Sequence, residues 1–475
     1  MSTVNGGAAV QHPEDAQPSQ YFNLFWTDEW WNHLVMETNR YANVQGPPEK
    51  WLPVTVADLK AFMGLILAMG ILSTGVLTDY WRTSKRLFQT QFGKVMPRDR
   101  FLMIWRYLHL ADNAAPQAGN PDRLAKLRPM ITHFNEVFNK NYTPYRDVSI
   151  DESMVKFKGR LAFRQYMPGK PIKWGVKVWA LSESTTGYMS CFQVYTGREA
   201  GQEQGLAHRV VKDLVAPFHH TGMRVYMDNF YTGVPLLRDL SALGLGACGT
   251  VRSNRKFLPA DLLPKKVQLQ KHQYKTAQAG HLTFSVWLDT KAVCVLSNFH
   301  DPAQTGTVSR RSGLQEQQQI VVPLALADYQ SHMMGVDLTD QMIGYYMPNH
   351  RSRKWWRRIF THLTMVSVHN AYVVAKDSNY EFTKKNWPNF KAFEDLADEL
   401  TFGVKANRDP PLNHAPRPGK EHHRLVKRRD GLSKVCIVCK AKGIKQKVTV
   451  YNCIICDLPI HVKCLQDHQQ RMLRM

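Results

Sequence analysis

The spacing of apolar residues changes twice along this 475-residue chain, and these changes constrain the fold more than any other feature. Between residues 20 and 146 apolar positions recur three and four apart, which is typical of helices packed on a core. Between residues 147 and 250, alternating apolar residues and glycine turns predict strands, with helical segments among them. Helical spacing returns after residue 318. Interleaved strands and helices predict an α/β fold, in which helices pack on a mixed sheet.

The same changes of pattern set the expected domain boundaries. The polar, Lys- and Gln-rich stretch in the middle of the chain is interpreted as an insertion, and a Pro-rich stretch near the end as a linker. We expect a disordered N-terminus at 1–19, a helical domain at 20–146, a sheet domain at 147–250, an insertion at 251–317, the last part of the sheet domain at 318–346, the second part of the helical domain at 347–405, a linker at 406–429 and a cysteine-rich module at 430–475.

Basic residues exceed acidic ones by a wide margin, with 62 Lys and Arg against 39 Asp and Glu and a net charge of +23. Since 44% of the residues are hydrophobic, the chain can build a core, and its charge indicates a polyanionic partner. Nucleic acid is the first candidate and an anionic membrane surface the second. The longest apolar run, residues 61–72, is too short to cross a bilayer and predicts a buried helix. We expect no membrane association and, since no signal-peptide pattern is visible, an intracellular protein.

Cysteine and histidine crowd into the last 40 residues with the spacing of metal ligands. A Cys-x-x-Cys turn presents two thiolates to one ion, and zinc takes four such donors. The candidate ligands are Cys436, Cys439, Cys453, Cys456, His461, Cys464 and His468. Because seven donors exceed one site, we predict two zinc ions with interleaved ligands and an eighth ligand upstream, His423 or His422. A single zinc with incidental histidines and a set of free thiols are the alternatives.

Four acidic residues occupy positions from which strands and a helix can bring them together. Asp151 and Asp228 each end a run of alternating apolar residues, so both are expected near strand ends. Asp337 and Asp340 are three residues apart, on one face if their segment is helical. Converging carboxylates in a basic protein are typical of two-metal phosphodiester chemistry, since Mg2+ prefers oxygen ligands. Helix caps, turns and salt bridges are the alternatives for each single residue.

Clusters of basic residues are candidates for contact with DNA phosphates. One cluster opens a helical segment beside two tryptophans, a second follows the strand run that ends near residue 250, and a third follows the first acidic strand. The first two clusters contain Arg351, Arg353, Lys354, Arg357, Arg358, Arg252, Arg255 and Lys256, and the third contains Lys156, Lys158, Arg160 and Arg164. A solvated charged face is the alternative for all of them, and Trp355 and Trp356 equally suit a helical core.

Several segments, in this order and ahead of the cysteine-rich end, resemble the piggyBac family of DNA transposases. They are LKAFMGLILAMGI, DYWR, MPRDRFLMIWRYLHLADN, VSIDESMVKFKGR, YMPGKPIKWGVKVWAL, YMDNFYTGVPLL, GTVRSNRK and GVDLTDQM. The resemblance extends over about residues 20–470. It implies an RNase H-like catalytic domain interrupted by an insertion and flanked by a split, mainly helical domain for dimerisation and DNA binding. A zinc-binding cysteine-rich domain is expected at the C-terminus.

The resemblance also implies a site and an activity. The family's catalytic triad corresponds to Asp151, Asp228 and Asp337, which would bind two Mg2+ ions, with Asp340 as a supporting acid. The expected activity is cut-and-paste transposition of double-stranded DNA, with hairpin ends, terminal inverted repeats and TTAA targets. A nuclear homodimer is expected. Two other functions remain open: a domesticated relative that binds DNA without transposing it, and a RING-like zinc protein that acts on protein partners.

Overall fold

The computed structural model describes most of the chain, which divides into two compact units, Met1–Lys405 and Ala406–Met475. The described residues are 6–10, 13, 16–82, 91–114, 122–197, 205–312, 316–348, 352–379, 383–385, 390–403, 425–427, 433–441, 448–453, 459–460 and 462–464. Within these residues no helix has the length and apolar character needed to cross a membrane.

Helices dominate both ends of the first unit. Local signals start some of them: the Thr27 side chain accepts a hydrogen bond from the Trp30 amide at one N-terminus, and Thr55 and Asp58 form a capping box at another. The helices are α1 (Pro18–Asn23), α2 (Asp28–Val44), α3 (Val56–Ile71), α4 (Phe92–Val95), α5 (Arg98–Tyr107), α6 (Arg128–Asn141), α7 (Leu206–Val215), α8 (Val234–Ala242), α9 (Leu324–His332), α10 (Gly335–Tyr345), α11 (Trp355–Ser378) and α12 (Phe390–Phe402).

Strands fill the middle of the same unit and form one large sheet and two separate two-stranded pairs among the described residues. The strands are β1 (Gly7–Ala8), β2 (Tyr142–Thr143), β3 (Asp147–Lys156), β4 (Gln165–Tyr166), β5 (Trp174–Glu183), β6 (Met189–Val194), β7 (Arg224–Met227), β8 (Gly246–Thr250), β9 (Tyr274–Ala279), β10 (Leu282–Leu288), β11 (Ala292–Ser297), β12 (Thr305–Ser312) and β13 (Glu316–Pro323).

The large sheet has nine described strands in the order β4-β5-β3-β7-β8-β11-β10-β9, with β6 paired to β5. The β3–β7 and β7–β8 pairs are parallel and the other pairs are antiparallel. Helix α8 makes the crossover between the parallel strands β7 and β8, as such a connection requires. The predicted mixed α/β fold is confirmed.

The two faces of the sheet carry different helices. Val148 and Ile150 of β3 pack in an apolar cluster with Val211 of α7 and Leu237 of α8. Ser149, between them in sequence, faces the other way, because its hydroxyl accepts a hydrogen bond of 3.3 Å from the backbone amide of Val336 in α10. Alternation along β3 therefore directs its odd-numbered residues toward α10.

Two expected segments differ in detail from the described structure. Strands β9, β10 and β11 belong to the segment expected as an insertion, residues 251–317, and they extend the large sheet beyond β8.

Residues 7–8 lie in the N-terminal segment expected to be disordered, but they pair with β2. The amide of Ala8 also donates a hydrogen bond of 2.9 Å to the Asp377 carboxylate. These contacts correct the expectation of disorder for residues 7–8.

The second unit contains short elements around a small apolar cluster. Its described residues include two antiparallel strand pairs, a short helix and a 3-10 turn (Val462–Cys464), and Cys436, Cys439 and Ile460 among them are buried. The elements are β14 (Leu425–Lys427), β15 (Lys434–Val435), α13 (Ile437–Ala441), β16 (Val448–Thr449) and β17 (Tyr451–Cys453). The apolar cluster that the described residues of this unit form is small, and a bound metal would add stability to a unit of this kind.

Candidate active site

Backbone pairing brings two of the predicted acidic residues side by side. Strands β3 and β7 are parallel, and Ile150 lies opposite Met227 in their register. The next residue along β3 is Asp151, which lies in the middle of that long strand and not near its end as expected. The next residue after β7 is Asp228, at the carboxyl end of that strand, as expected. Asp228 begins a turn in which its carboxylate accepts a hydrogen bond of 2.8 Å from the Phe230 amide.

Helix α10 adds the other two acidic residues. Ser149 of β3 contacts the first turn of the helix, and Ser153 donates a hydrogen bond of 2.5 Å to the carboxylate of Asp340. Asp337 lies between these two contacts on the helix, as Asp151 lies between the two serines on the strand. The geometry therefore brings the four acidic residues predicted from the sequence into one region.

This packing depends on a glycine at the start of α10. A side-chain carbon added at Gly335 would lie 2.6 Å from the Ser149 hydroxyl and 2.7 Å from the carbonyl oxygen of Glu183. Both distances are shorter than van der Waals contact, so only glycine allows the helix to approach β3 and β5 this closely. On the same helix, a carbon added at Gly344 would meet no atom within 4 Å.

A lysine that the sequence did not indicate links two of the acidic residues. The ammonium nitrogen of Lys170 lies 2.6 Å from Asp151 Oδ2 and 3.4 Å from Asp337 Oδ1. Lys170 follows β4 in the loop that leads to β5. Its segment belongs to the motif YMPGKPIKWGVKVWAL, but the sequence assigns this lysine no role among 62 basic residues, so only the folded chain shows what it contacts.

Buried negative charge shifts the pKa values of several groups at the site. Burial, together with the charge of Asp151, raises the pKa of Asp228 above its ordinary value. Burial raises the pKa of Asp340 to about 7. Burial alone would lower the pKa of Lys170, but Asp151 and Asp337 outweigh it and raise this pKa above the ordinary lysine value. Carboxylates that resist ionisation in this way are stabilised by an added cation.

A buried carboxylate on β3, that of Glu152, links this strand to its neighbours. Glu152 is buried, and its carboxylate accepts hydrogen bonds of 2.9 Å from Lys177 Nζ on β5 and from the Tyr231 hydroxyl. Tyr231 belongs to the turn that follows Asp228. Because one carboxylate joins β3, β5 and this turn, the network holds the backbones of both acidic strands in a fixed relation.

The acidic residues open on a cleft of about 600 Å³. Asp151, Asp228 and Asp337 line it together with Lys170 and Tyr166. Their oxygens are hard donors, and the Lys170 ammonium already lies against two of them. The donor set and its excess negative charge therefore fit a divalent cation that prefers oxygen ligands.

Three cysteines in the second unit form a separate cluster. The sulfurs of Cys436, Cys439 and Cys464 lie within 4.8 Å of one another, and those of Cys439 and Cys464 are 3.5 Å apart. Sulfurs bound to one tetrahedral zinc at about 2.3 Å lie about 3.8 Å apart, so this cluster fits such an ion. Of the other predicted ligands, Cys453 ends β17, while Cys456, His461, His468 and His423 lie outside the described residues.

The basic residues near the turn after β7 lie close to the acidic site. Arg252 is exposed and donates a hydrogen bond of 2.9 Å to the Asn229 side chain. Arg255 donates hydrogen bonds to the carbonyl oxygens of Asn229 and Phe230, at 3.2 and 2.6 Å. Lys256 is exposed beside them. These contacts place positive charge at the turn that carries Asp228.

The basic residues at the start of α11 have different environments. Arg353 is exposed, and burial lowers the pKa of Lys354 to about 8. Arg357 is buried, and its guanidinium donates to the carbonyl oxygens of Trp105 and Arg106. Its charge therefore serves the contact between α11 and α5, which corrects the expectation that it reaches a phosphate. Arg351 lies outside the described residues.

A large cleft is lined by basic side chains from residues 156–160 and from the region around the start of α11. It has a volume of about 1480 Å³ and is bordered on one side by residues 73–77, which follow α3. None of the described residues that line it is acidic. Its basic residues are Lys156, Lys158, Arg160, Arg353 and Arg358. We refer to it as the basic cleft.

Comparison with known proteins identifies the class. The sequence model of a family described as Transposase IS4 matches residues 17–372, most of the chain. The chain therefore belongs to this transposase family, and its relatives place it among the piggyBac-type members. The resemblance inferred from the sequence motifs is confirmed.

Two human proteins and one solved structure show the extent of the similarity. PiggyBac transposable element-derived protein 3 is 29% identical over 472 residues, which cover 95% of this chain and 76% of that protein. PiggyBac transposable element-derived protein 2 is 29% identical over 372 residues, 76% of this chain and 61% of that protein. A cryo-EM structure of the piggyBac transposase synaptic complex with hairpin DNA superposes with a TM-score of 0.73 at 22% identity, covering 97% of this chain and 98% of that one. This likeness establishes a shared fold.

Replacing Gly335 with alanine tests the packing of α10 on β3. The added carbon collides with Ser149 and Glu183, so we expect Gly335→Ala to lower the free energy of unfolding by about 1–3 kcal/mol. Gly344→Ala, on the same helix and in open space, should raise it by about 0.5–1 kcal/mol. Thermal unfolding of the full chain, followed by tryptophan fluorescence, measures both. Equal shifts for the two variants would contradict the close approach at Gly335.

Proposed function

We propose that this chain is a DNA transposase that breaks and rejoins phosphodiester bonds at the cleft between β3, β7 and α10. The observation that carries the proposal is the meeting of Asp151, Asp228 and Asp337 around one cleft, although they are far apart in the sequence. Membership of the transposase family supports the same reading. We propose that the surrounding sheet is an RNase H-like catalytic fold.

The acidic residues would hold divalent metal, which we propose to be two Mg2+ ions. Bound there, the metal would activate an attacking oxygen and stabilise the leaving oxygen of a phosphodiester. Asp151, Asp228 and Asp337 are the proposed ligands. Asp340 is the proposed supporting residue, since its hydrogen bond to Ser153 fixes α10 against β3.

Residues of the chain itself would position the DNA. Lys170 offsets the charge of Asp151 and Asp337, and its ammonium would contact a phosphate once a cation bound these carboxylates. Arg252 and Lys256 are exposed near the Asp228 turn, within the region that a scissile phosphate would enter. Holding the reacting groups in line is the main contribution that a protein makes to this chemistry.

The basic cleft is the proposed path of the DNA backbone away from the reacting phosphodiester. Phosphates bind Lys and Arg without regard to sequence, and a cleft without acidic side chains among its described lining residues suits a polyanion. Its basic residues come from the last residue of β3 and the segment that follows it, and from the start of α11 and the residues just before it. Strand β3 also carries Asp151. Strand β3 therefore connects the proposed DNA path with the proposed metal site.

The finer steps of the proposal follow the family resemblance. They are cut-and-paste transposition of double-stranded DNA, hairpin ends, terminal inverted repeats and TTAA targets. The synaptic complex with hairpin DNA, reported for a protein of the same fold, supports the hairpin step. We propose that two copies act together, because an element has two ends to be joined, and that they act in the nucleus.

A second candidate function is DNA binding without transposition. It is favoured by the similarity to two human proteins named as transposable element-derived. Both functions use the basic cleft, so they differ only in whether the acidic residues support turnover.

Replacing Asp228 with asparagine tests the proposed chemistry. Because asparagine keeps the shape but not the charge, we expect Asp228→Asn to reduce Mg2+-dependent cleavage of end-containing DNA by more than about a hundredfold while DNA affinity stays the same. The matched control is Asp261→Asn, an exposed acidic residue outside the cleft. Gel analysis of cleaved DNA and fluorescence anisotropy are the measurements. Equal cleavage by wild type and Asp228→Asn removes Asp228 from the mechanism, and absence of wild-type cleavage with tight binding favours the second function.

Removing charge from the basic cleft tests the proposed DNA path. With Lys158→Ala and Arg160→Ala combined, we expect weaker binding to all sequences and a salt dependence of log Kd that is shallower by about two, one unit for each lost phosphate contact. Lys265→Ala combined with Lys266→Ala removes the same charge from exposed positions that do not line the cleft. Titrations at several salt concentrations measure the slopes. The same slope for both double variants would show that the cleft does not bind phosphates.

Metal analysis tests the cysteine cluster, which we propose to bind zinc as one of two zinc sites in the chain. We expect the purified full chain to contain zinc and Cys436→Ala to lose at least one ion per chain, because three thiolates no longer converge. Cys294→Ala, in strand β11 of the first unit, should keep the wild-type content. Atomic emission spectrometry measures zinc per chain. Equal content in both variants would exclude Cys436 as a ligand.

A further inference from the structure

We infer that Tyr166 and Trp174 form a stacking surface for an unpaired nucleobase beside the carboxylate cleft. We call this pair the aromatic platform. The inference rests on the proposed function, since it assigns a ligand to a surface next to the proposed reaction site.

Both residues of the aromatic platform are exposed to solvent. Tyr166 is 52% exposed and Trp174 is 41% exposed, although large aromatic side chains are mostly buried in folded proteins. The two residues are directly paired between β4 and β5, and their ring centroids are 4.6 Å apart. Adjacent exposed rings on a regular strand pair form a continuous apolar surface, which marks a binding site more often than isolated exposed residues do.

The platform is also held in place. The Arg164 guanidinium lies over the Trp174 ring, 4.5 Å from its centroid. Arg164 itself donates hydrogen bonds of 3.0 and 3.1 Å to the carbonyl oxygens of Lys158 and Gly159. A cation over one ring and fixed backbone contacts below it limit the motion of the indole. A rigid ring binds a flat ligand with less loss of conformational entropy than a mobile one.

Its position connects it to the proposed reaction site. Tyr166 lines the same cleft as Asp151 and Asp228. The loop that joins the two platform strands carries Lys170, and the Met167 amide donates a hydrogen bond of 2.9 Å to the Lys173 carbonyl across its base. A group stacked on the platform therefore lies next to the acidic residues and among cations.

The chemistry of this position selects an unpaired nucleobase as the occupant. Every nucleobase has a flat π surface that stacks on aromatic side chains, whereas bases inside a duplex already stack on their neighbours. The basic residues around the platform suit the phosphate attached to such a base. An apolar protein segment would bury the rings equally well, but it would gain nothing from the adjacent Arg164 and Lys170.

The test measures binding apart from cleavage. The full chain carrying Asp228→Asn, in buffer without Mg2+, is titrated with two duplexes of the same sequence, one fully paired and one ending in unpaired bases that include 2-aminopurine. We expect about tenfold tighter binding of the second duplex, with quenching of 2-aminopurine fluorescence by stacking. Adding Tyr166→Ala and Trp174→Ala should bring the ratio of the two Kd values close to one and remove the quenching, without changing the Kd for the paired duplex.

Conservative variants separate stacking from structural damage. Tyr166→Phe with Trp174→Phe keeps two aromatic rings, so it should retain the preference and the quenching. If the alanine variants keep the full preference and quenching, the aromatic platform does not bind the base. If the Asp228→Asn chain binds both duplexes with the same affinity, this inference fails and the proposed function stands. If it binds neither duplex, the proposed function fails as well.

Discussion

The parallel pairing of β3 with β7 is the interaction on which the rest of the site depends. Its register places Asp151 beside Asp228. The pairing in turn requires helices α7 and α8 to cover one face, because parallel strands need crossovers. The other face is left to α10, which reaches the strand only because Gly335 has no side chain. Backbone geometry thus determines where the carboxylates meet.

Charge balance is the second constraint on this region. Close carboxylates repel one another, and burial raises the pKa of Asp228 and of Asp340. In the folded chain Lys170 offsets part of this repulsion. The same arrangement favours a cation that prefers oxygen ligands and gives the lysine a place from which to contact a phosphate. One cluster of charges thereby accounts both for the contacts of Lys170 and for the chemistry proposed for the site.

Much of the fold was predictable, since local spacing reports on local structure. Apolar residues three and four apart predicted the helices, and alternation predicted that Ile150 and Asp151 face opposite ways. Other features were not predictable. Arg357 carries the same local signal as Arg353, yet it is buried against α5, while Arg353 lines the basic cleft. The neighbouring elements decide which basic residues at the start of a helix face solvent. The sequence pattern of the segment does not indicate which residues these are.

The sequence by itself determined the kinds of elements, the types of residue available for chemistry and, through its motifs, the family. Each of these properties is set by neighbours within a few residues or by the order of short segments. Only the tertiary structure decided that Lys170 bridges Asp151 and Asp337 and that Tyr166 opens on the same cleft. Contacts of this kind join residues far apart in the chain, and their distances follow from how the sheet and α10 pack, a quantity that local spacing does not contain.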